Sequence, residues 1–100
     1  MQYKILQFKD IRKVNYAFMD YEFAQEHGFD VNDYEVIYQG ELPGAIRNNK
    51  DIFTCLETLF TLFNTKRPED FHGHSMSVSD LVELDGELYY VDFVGFQRVQ

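Results

Sequence analysis

Asp85-Gly86 sits between two runs of β-forming residues, Ser79 to Leu84 and Glu87 to Phe93. An Asp-Gly pair readily supplies the two positive-φ residues of a tight hairpin turn whose twist matches that of the flanking strands. The pair therefore predicts an antiparallel hairpin in the last third of the chain. Gly95 allows a bend or bulge after the second strand, and Phe96 to Val99 reads as a short final strand.

The rest of the chain adds alternating elements. Tyr3 to Lys9 reads as a first strand, and Asp10 then starts a turn or caps the next element. Residues 11–15 are ambiguous. Tyr16 to His27 reads as a helix, with Tyr16, Met19 and Phe23 at helical spacing and Gly28 as its stop, while the run Tyr16-Ala17-Phe18-Met19 also suits an extended segment. Asp30 to Asp33 is a polar turn, and Tyr34 to Glu41 is a strand that Pro43-Gly44 breaks. Arg47 to Lys50 reads as an exposed linker. Ile52 to Phe63 is the clearest helix, with Asp51 as its N-cap. Ile52, Leu56, Leu59, Phe60 and Phe63 fall on one face of a 3.6-residue period, and that face reads as core. The order β-α-β-α-β-β-β predicts an α+β fold: residues 1–100 as a single domain, with an antiparallel or mixed sheet of four to five strands and two packed helices.

Composition supports a self-sufficient core. The chain is 45% hydrophobic and 17% aromatic, enough to close a small domain without metal or disulfide staples. Ten Phe and seven Tyr make that core one of rings, and each buried Tyr hydroxyl needs a polar outlet. Cys55 is the single cysteine, so no internal disulfide forms, which fits a reducing cytoplasm. It is expected as a partly buried, inert thiol. No apolar run approaches the ~20 residues that cross a bilayer, and the expectation is a soluble protein of the cytoplasm.

Chemistry-bearing residues are sparse. His72-Gly73-His74 is the one close His pair, and zinc wants three or four ligands. The pair reads as a turn in which Gly73 adopts an unusual backbone angle and His74 bonds locally. Ser75, Ser77 and Ser79 alternate as they would along one side of a strand, yet no base or oxyanion hole accompanies them. Their expected role is to satisfy backbone groups. In Arg67-Pro68-Glu69-Asp70-Phe71, Pro68 fixes one dihedral, Glu69-Asp70 begin a turn and Phe71 anchors the loop in the core. No glycine-rich phosphate loop is present, and no basic stripe interleaved with aromatics suggests single-strand binding. No catalytic residue, metal site or cofactor is assigned. A metal-dependent nuclease working through His72, His74 and Asp80 is the weakest of the functional readings.

Charge carries more information. The net charge is −8. Seven acids and no Lys or Arg lie between Asp20 and Glu41, and the same holds from Glu69 to Asp92. Such a surface keeps a small domain soluble, repels nucleic acid and attracts basic partners.

Several segments together resemble one family. Tyr3-Lys4-Ile5, Tyr34 to Leu42, Phe63-Asn64, Arg67 to Phe71, Gly73 to Asp80 and Tyr90 to Phe96 are similar to the signature of YodL-like domains. Such domains occur in plasmid, phage and conjugative-element proteins, sometimes beside anti-defence modules. The resemblance implies a mobile-element protein that engages bacterial host machinery, and it transfers no active site. The leading expectation is a non-enzymatic anti-CRISPR or anti-restriction inhibitor. It would lay its acids into the basic channel of a host nuclease and block loading of guide RNA or DNA. The expected contacts are Asp30, Asp33, Glu35, Glu83, Asp85 and Glu87. The alternative is a module that binds another host protein through an exposed aromatic or a sheet edge.

Overall fold

The computed structural model describes residues 2–41 and 52–99. The expected Pro43-Gly44 break, the Arg47 to Lys50 linker and the Asp51 cap lie outside the described residues. The chain runs β1 (Gln2–Phe8), α1 (Tyr21–Glu26), β2 (Tyr34–Glu41), α2 (Ile52–Thr65), β3 (Leu81–Leu84), β4 (Glu87–Val91) and β5 (Phe96–Arg98). Short 3-10 turns at Ile11–Lys13 and Val31–Asp33 flank α1. The five strands form one antiparallel sheet of order β2-β1-β3-β4-β5, so the fold is α+β as expected.

The hairpin turn at Asp85-Gly86 has φ of 52° and 85°, both positive as the tight β3–β4 connection requires. The Asp85 N–H also donates to the Gln2 carbonyl at 3.0 Å, which ties the hairpin to β1.

Both faces of the sheet are covered. Side chains alternate along each strand, so Tyr3, Ile5, Val82, Leu84, Tyr89 and Val91 share one face. There they pack with Cys55, Leu56, Leu59 and Phe63 of α2. The predicted stripe of α2 is realised: Leu56, Leu59 and Phe63 are fully buried, and Ile52 and Phe60 are partly buried. Cys55, expected to be partly buried, is fully buried beside them. On the opposite face Leu6, Leu81 and Tyr90 pack with Tyr16, Ala24 and Tyr34.

Strand β2 serves both faces because it carries a bulge. Ile5 pairs with Tyr38 while the next residue, Leu6, pairs with Val36, leaving Ile37 as the extra residue. One inserted residue reverses the alternation. Tyr34 thus packs on the α1 side, while Ile37 and Tyr38 pack on the α2 side.

Helix α1 is shorter than expected and starts at Tyr21. Phe18 adopts φ of 64°, which a right-handed helix does not tolerate. Asp20 then caps the helix by accepting from the Phe23 N–H at 2.8 Å. Gly28, at φ 85°, ends it as predicted, and the Phe29 N–H returns to the Ala24 carbonyl at 2.9 Å.

The tyrosine hydroxyls tie the irregular segments to one another and to the sheet. Tyr16 donates to Asp33 Oδ2 at 2.9 Å, Tyr34 to the Ser79 carbonyl at 2.6 Å and Tyr90 to the Met19 carbonyl at 2.6 Å. On the other face Tyr38 donates to Asp70 Oδ1 at 3.1 Å. Burial raises Tyr16 to about 12 and pushes Tyr34 and Tyr90 higher still, so these hydroxyls remain donors.

Candidate functional site

The signature segment from Arg67 to Asp80 proves to be a structural latch. Phe71 is buried edge-on against Phe63, with ring centroids 4.9 Å apart, and against Tyr38 at 5.9 Å. Asn64, inside the last turn of α2 rather than past its end, brackets Met76. Its Oδ1 accepts from the Met76 N–H at 2.8 Å, and its Nδ2 donates to the Met76 carbonyl at 3.3 Å. Met76 then enters the core.

Gly73 is required for close approach, not for an unusual backbone angle as expected; its φ is not positive. A Cβ there would strike Ile37 Cδ1, and would stand 2.6 Å from Gln7 Oε1 and 2.9 Å from Phe71 Cζ. The expected run of Ser75, Ser77 and Ser79 along a strand is not formed, since β3 begins at Leu81. A turn intervenes because Ser79 takes φ of 81° and the Asp80 N–H donates to the Ser77 carbonyl at 3.1 Å. Ser79 is a buried junction. Its N–H donates to the Val91 carbonyl at 2.9 Å, its Oγ accepts from the Phe18 N–H at 2.9 Å, and its carbonyl accepts from Tyr34.

Asp80 is 1% exposed, and its Oδ2 accepts from Gln7 Nε2 at 3.1 Å and from the Ser77 N–H at 3.0 Å. Burial raises its carboxyl to about 6; the Ser77 N–H, His74 and Gln7 pull the other way without offsetting burial. The same Gln7 nitrogen donates to the His74 carbonyl at 2.9 Å. Its two protons are thereby committed, so His74 Nδ1, at 3.1 Å, is not a third acceptor. Nδ1 instead donates to the Ser75 carbonyl at 2.7 Å, the local bond expected of His74. His74 and Asp80 are thus joined through Gln7, while His72 is exposed. Among the described residues no group of three His, Cys, Asp or Glu side chains is placed to hold a metal ion.

The six carboxylates expected to touch a partner fall into two groups. Asp30, Asp33 and Glu35 gather where β1 ends, since Glu35 pairs with Gln7 and the Asp33 carbonyl accepts from the Lys9 N–H. Glu83, Asp85 and Glu87 surround the β3–β4 hairpin at the start of β1. Five strand positions, ~17 Å, separate the groups along β1. Glu83 faces Lys4 at 3.4 Å and Glu87 faces Arg98 at 2.7 Å. Asp30 caps a 3-10 turn and Asp33 receives the Tyr16 hydroxyl.

A second acidic surface was missed in the sequence. Asp92 follows β4 and lies between two hollows. One is bounded by Asp20, Glu22 and Gln25 near the start of α1, with Gln97 of β5. The other, of about 290 Å³, lies between α2 and the β4–β5 turn and is lined by Glu57, Phe60, Asp92, Phe93 and Phe96. No Lys or Arg pairs with Asp20, Glu22, Glu57 or Asp92 among the described residues. At the tip of the turn Phe93 is 60% exposed and Val94 is 88% exposed. Gly95 at φ 73° and a bond from the Phe93 N–H to Asp92 Oδ1, 2.7 Å, hold the tip in this shape. The spread of these acids over three elements hid them; the adjacent Phe93-Val94-Gly95 was the available sign of an exposed apolar turn.

A five-strand antiparallel sheet with a helix on each face, latched by a polar loop, defines a small α+β domain without a helix long and apolar enough to cross a membrane among its described residues. The chain belongs to the YodL-like domain family, whose model matches residues 2–100. None of the curated proteins matches it, and none of the solved structures does.

Proposed function

We propose that this domain is a non-enzymatic binding module that seats its acidic end against the basic surface of a bacterial host protein. The favoured partner is a nucleic-acid-handling defence nuclease, whose guide RNA or DNA the domain would exclude in the manner of an anti-CRISPR or anti-restriction inhibitor. One observation carries the reading: Asp20, Glu22, Glu57 and Asp92 lack paired cations among the described residues and flank an exposed Phe93-Val94 tip. An apolar anchor with carboxylates beside it suits a cationic protein surface and repels phosphate. The signature residues, by contrast, are occupied in holding the fold.

The test is competition. The partner is first captured from host lysate on the immobilised domain. Where it is a nuclease, excess domain should reduce loading of guide RNA or DNA onto it at low salt, and the effect should fade as salt rises. Glu22→Lys with Glu57→Lys should abolish it, whereas Glu83→Lys, Asp85→Lys and Glu87→Lys together should weaken it less. Unchanged loading at low salt would refute occlusion. The second reading, a host protein outside defence, is favoured by the apolar Phe93-Val94 tip. It predicts binding that is nearly independent of salt and lost on Phe93→Ala.

A further inference from the structure

The hollow between α2 and the β4–β5 turn has a composition that selects one kind of side chain. Phe60 and Phe96 meet edge-on with centroids 6.4 Å apart, and Phe93 adds a third ring from the turn. Glu57 of α2 and Asp92 of the turn also line it and bring two carboxylates. At about 290 Å³ the hollow has room for one long side chain, and its two carboxylates disfavour any phosphate-bearing ligand.

We infer that this hollow is a receptor for an arginine side chain presented by a partner protein. A guanidinium is flat enough to lie on a phenyl face and donates from its edge to a carboxylate. Lysine satisfies the charge but forms neither the stacked plane nor the fork. The inference rests on the proposed binding of a basic partner and deepens it, since it assigns the residue type that the acidic end reads first. Asp92 also borders the hollow that holds Asp20 and Glu22, so a chain whose arginine is seated here can place a neighbouring cation against those acids.

The probe is N-acetyl-arginine amide, titrated into the isotope-labelled protein and followed by amide shifts. Saturable shifts at Phe60, Phe93, Val94, Gly95 and Phe96 are expected, smaller with the lysine analogue and absent with the citrulline analogue, which keeps the shape and loses the charge. Glu57→Gln and Asp92→Asn should each weaken the probe about twofold to fivefold, as expected for partly exposed charge pairs. Asn can still accept the Phe93 N–H, so the turn survives. Phe93→Leu should weaken the probe while leaving the melting temperature in place. Equal shifts with citrulline, or shifts centred elsewhere, would overturn the inference. If the probe fails while partner binding stays salt-sensitive, the receptor is wrong and the wider reading stands. Salt-insensitive partner binding removes the wider reading whatever the probe does.

Discussion

Replacing Asp80 by Asn should change how the stability of the domain depends on pH. Asp80 lies among Gln7, His74 and the Ser77 N–H, and the hydroxyls of Tyr34 and Tyr90 feel its charge. Its carboxyl titrates at about 6 in the fold against 3.8 in an unfolded chain. Between those values the folded protein holds a proton that the unfolded chain has released. The contribution of Asp80 is therefore complete below pH 4 or so and is lost as the pH rises through about 6. At ~1.4 kcal/mol per pKa unit, the raised pKa costs the wild type about 3 kcal/mol at neutral pH relative to acid. An Asn at this position keeps an oxygen to receive Gln7 and Ser77 but does not titrate. Urea unfolding of both proteins, from about pH 4 to about pH 7.5, isolates the effect, because the other titrating groups largely cancel in the difference. The wild type should lose up to about 3 kcal/mol relative to the Asn variant over that range. A difference that stays flat, or that moves in favour of the wild type as the pH rises, would refute the assignment of burial as the dominant influence on Asp80.

Gly73→Ala should lower stability by about 1–3 kcal/mol, read by urea unfolding, because its methyl group must displace Ile37, Gln7 or Phe71. Asn64→Ala removes both bonds to Met76 and should cost about 1–2 kcal/mol, with faster amide exchange at Met76 as the specific sign. Asp85→Ala should cost about 1 kcal/mol through its φ of 52°, whereas Asp85→Asn should leave the melting temperature nearly unchanged.

The strands were legible where local chemistry and tertiary structure agree. Asp85-Gly86 announced the β3–β4 hairpin, and Tyr34 to Glu41 and the α2 stripe appear with the expected bounds or close to them. The start of α1 was not legible because the spacing of Tyr16, Met19 and Phe23 mimics a helical face. Tyr16 in fact leaves that path to lie between Phe8 and Phe29. The role of Gly73 was hidden for a similar reason. Its confinement comes from Gln7 and Ile37, over thirty residues away in sequence, and no local pattern reports that proximity. Charge runs in the sequence identified acids but not their partners. Lys4 and Arg98 reach Glu83 and Glu87 only across the sheet, and Glu57 joins Asp92 only because α2 packs beside the β4–β5 turn.

Affinity for the captured partner, measured between about 50 and about 300 mM salt for the wild type and for the Glu22→Lys, Glu57→Lys double variant, probes the acidic end most directly. Wild-type binding should drop tenfold or more over that range, and the double variant should bind weakly throughout with a flatter salt response. Equal affinities for the two proteins, unmoved by salt, would mean that the partner does not read this surface.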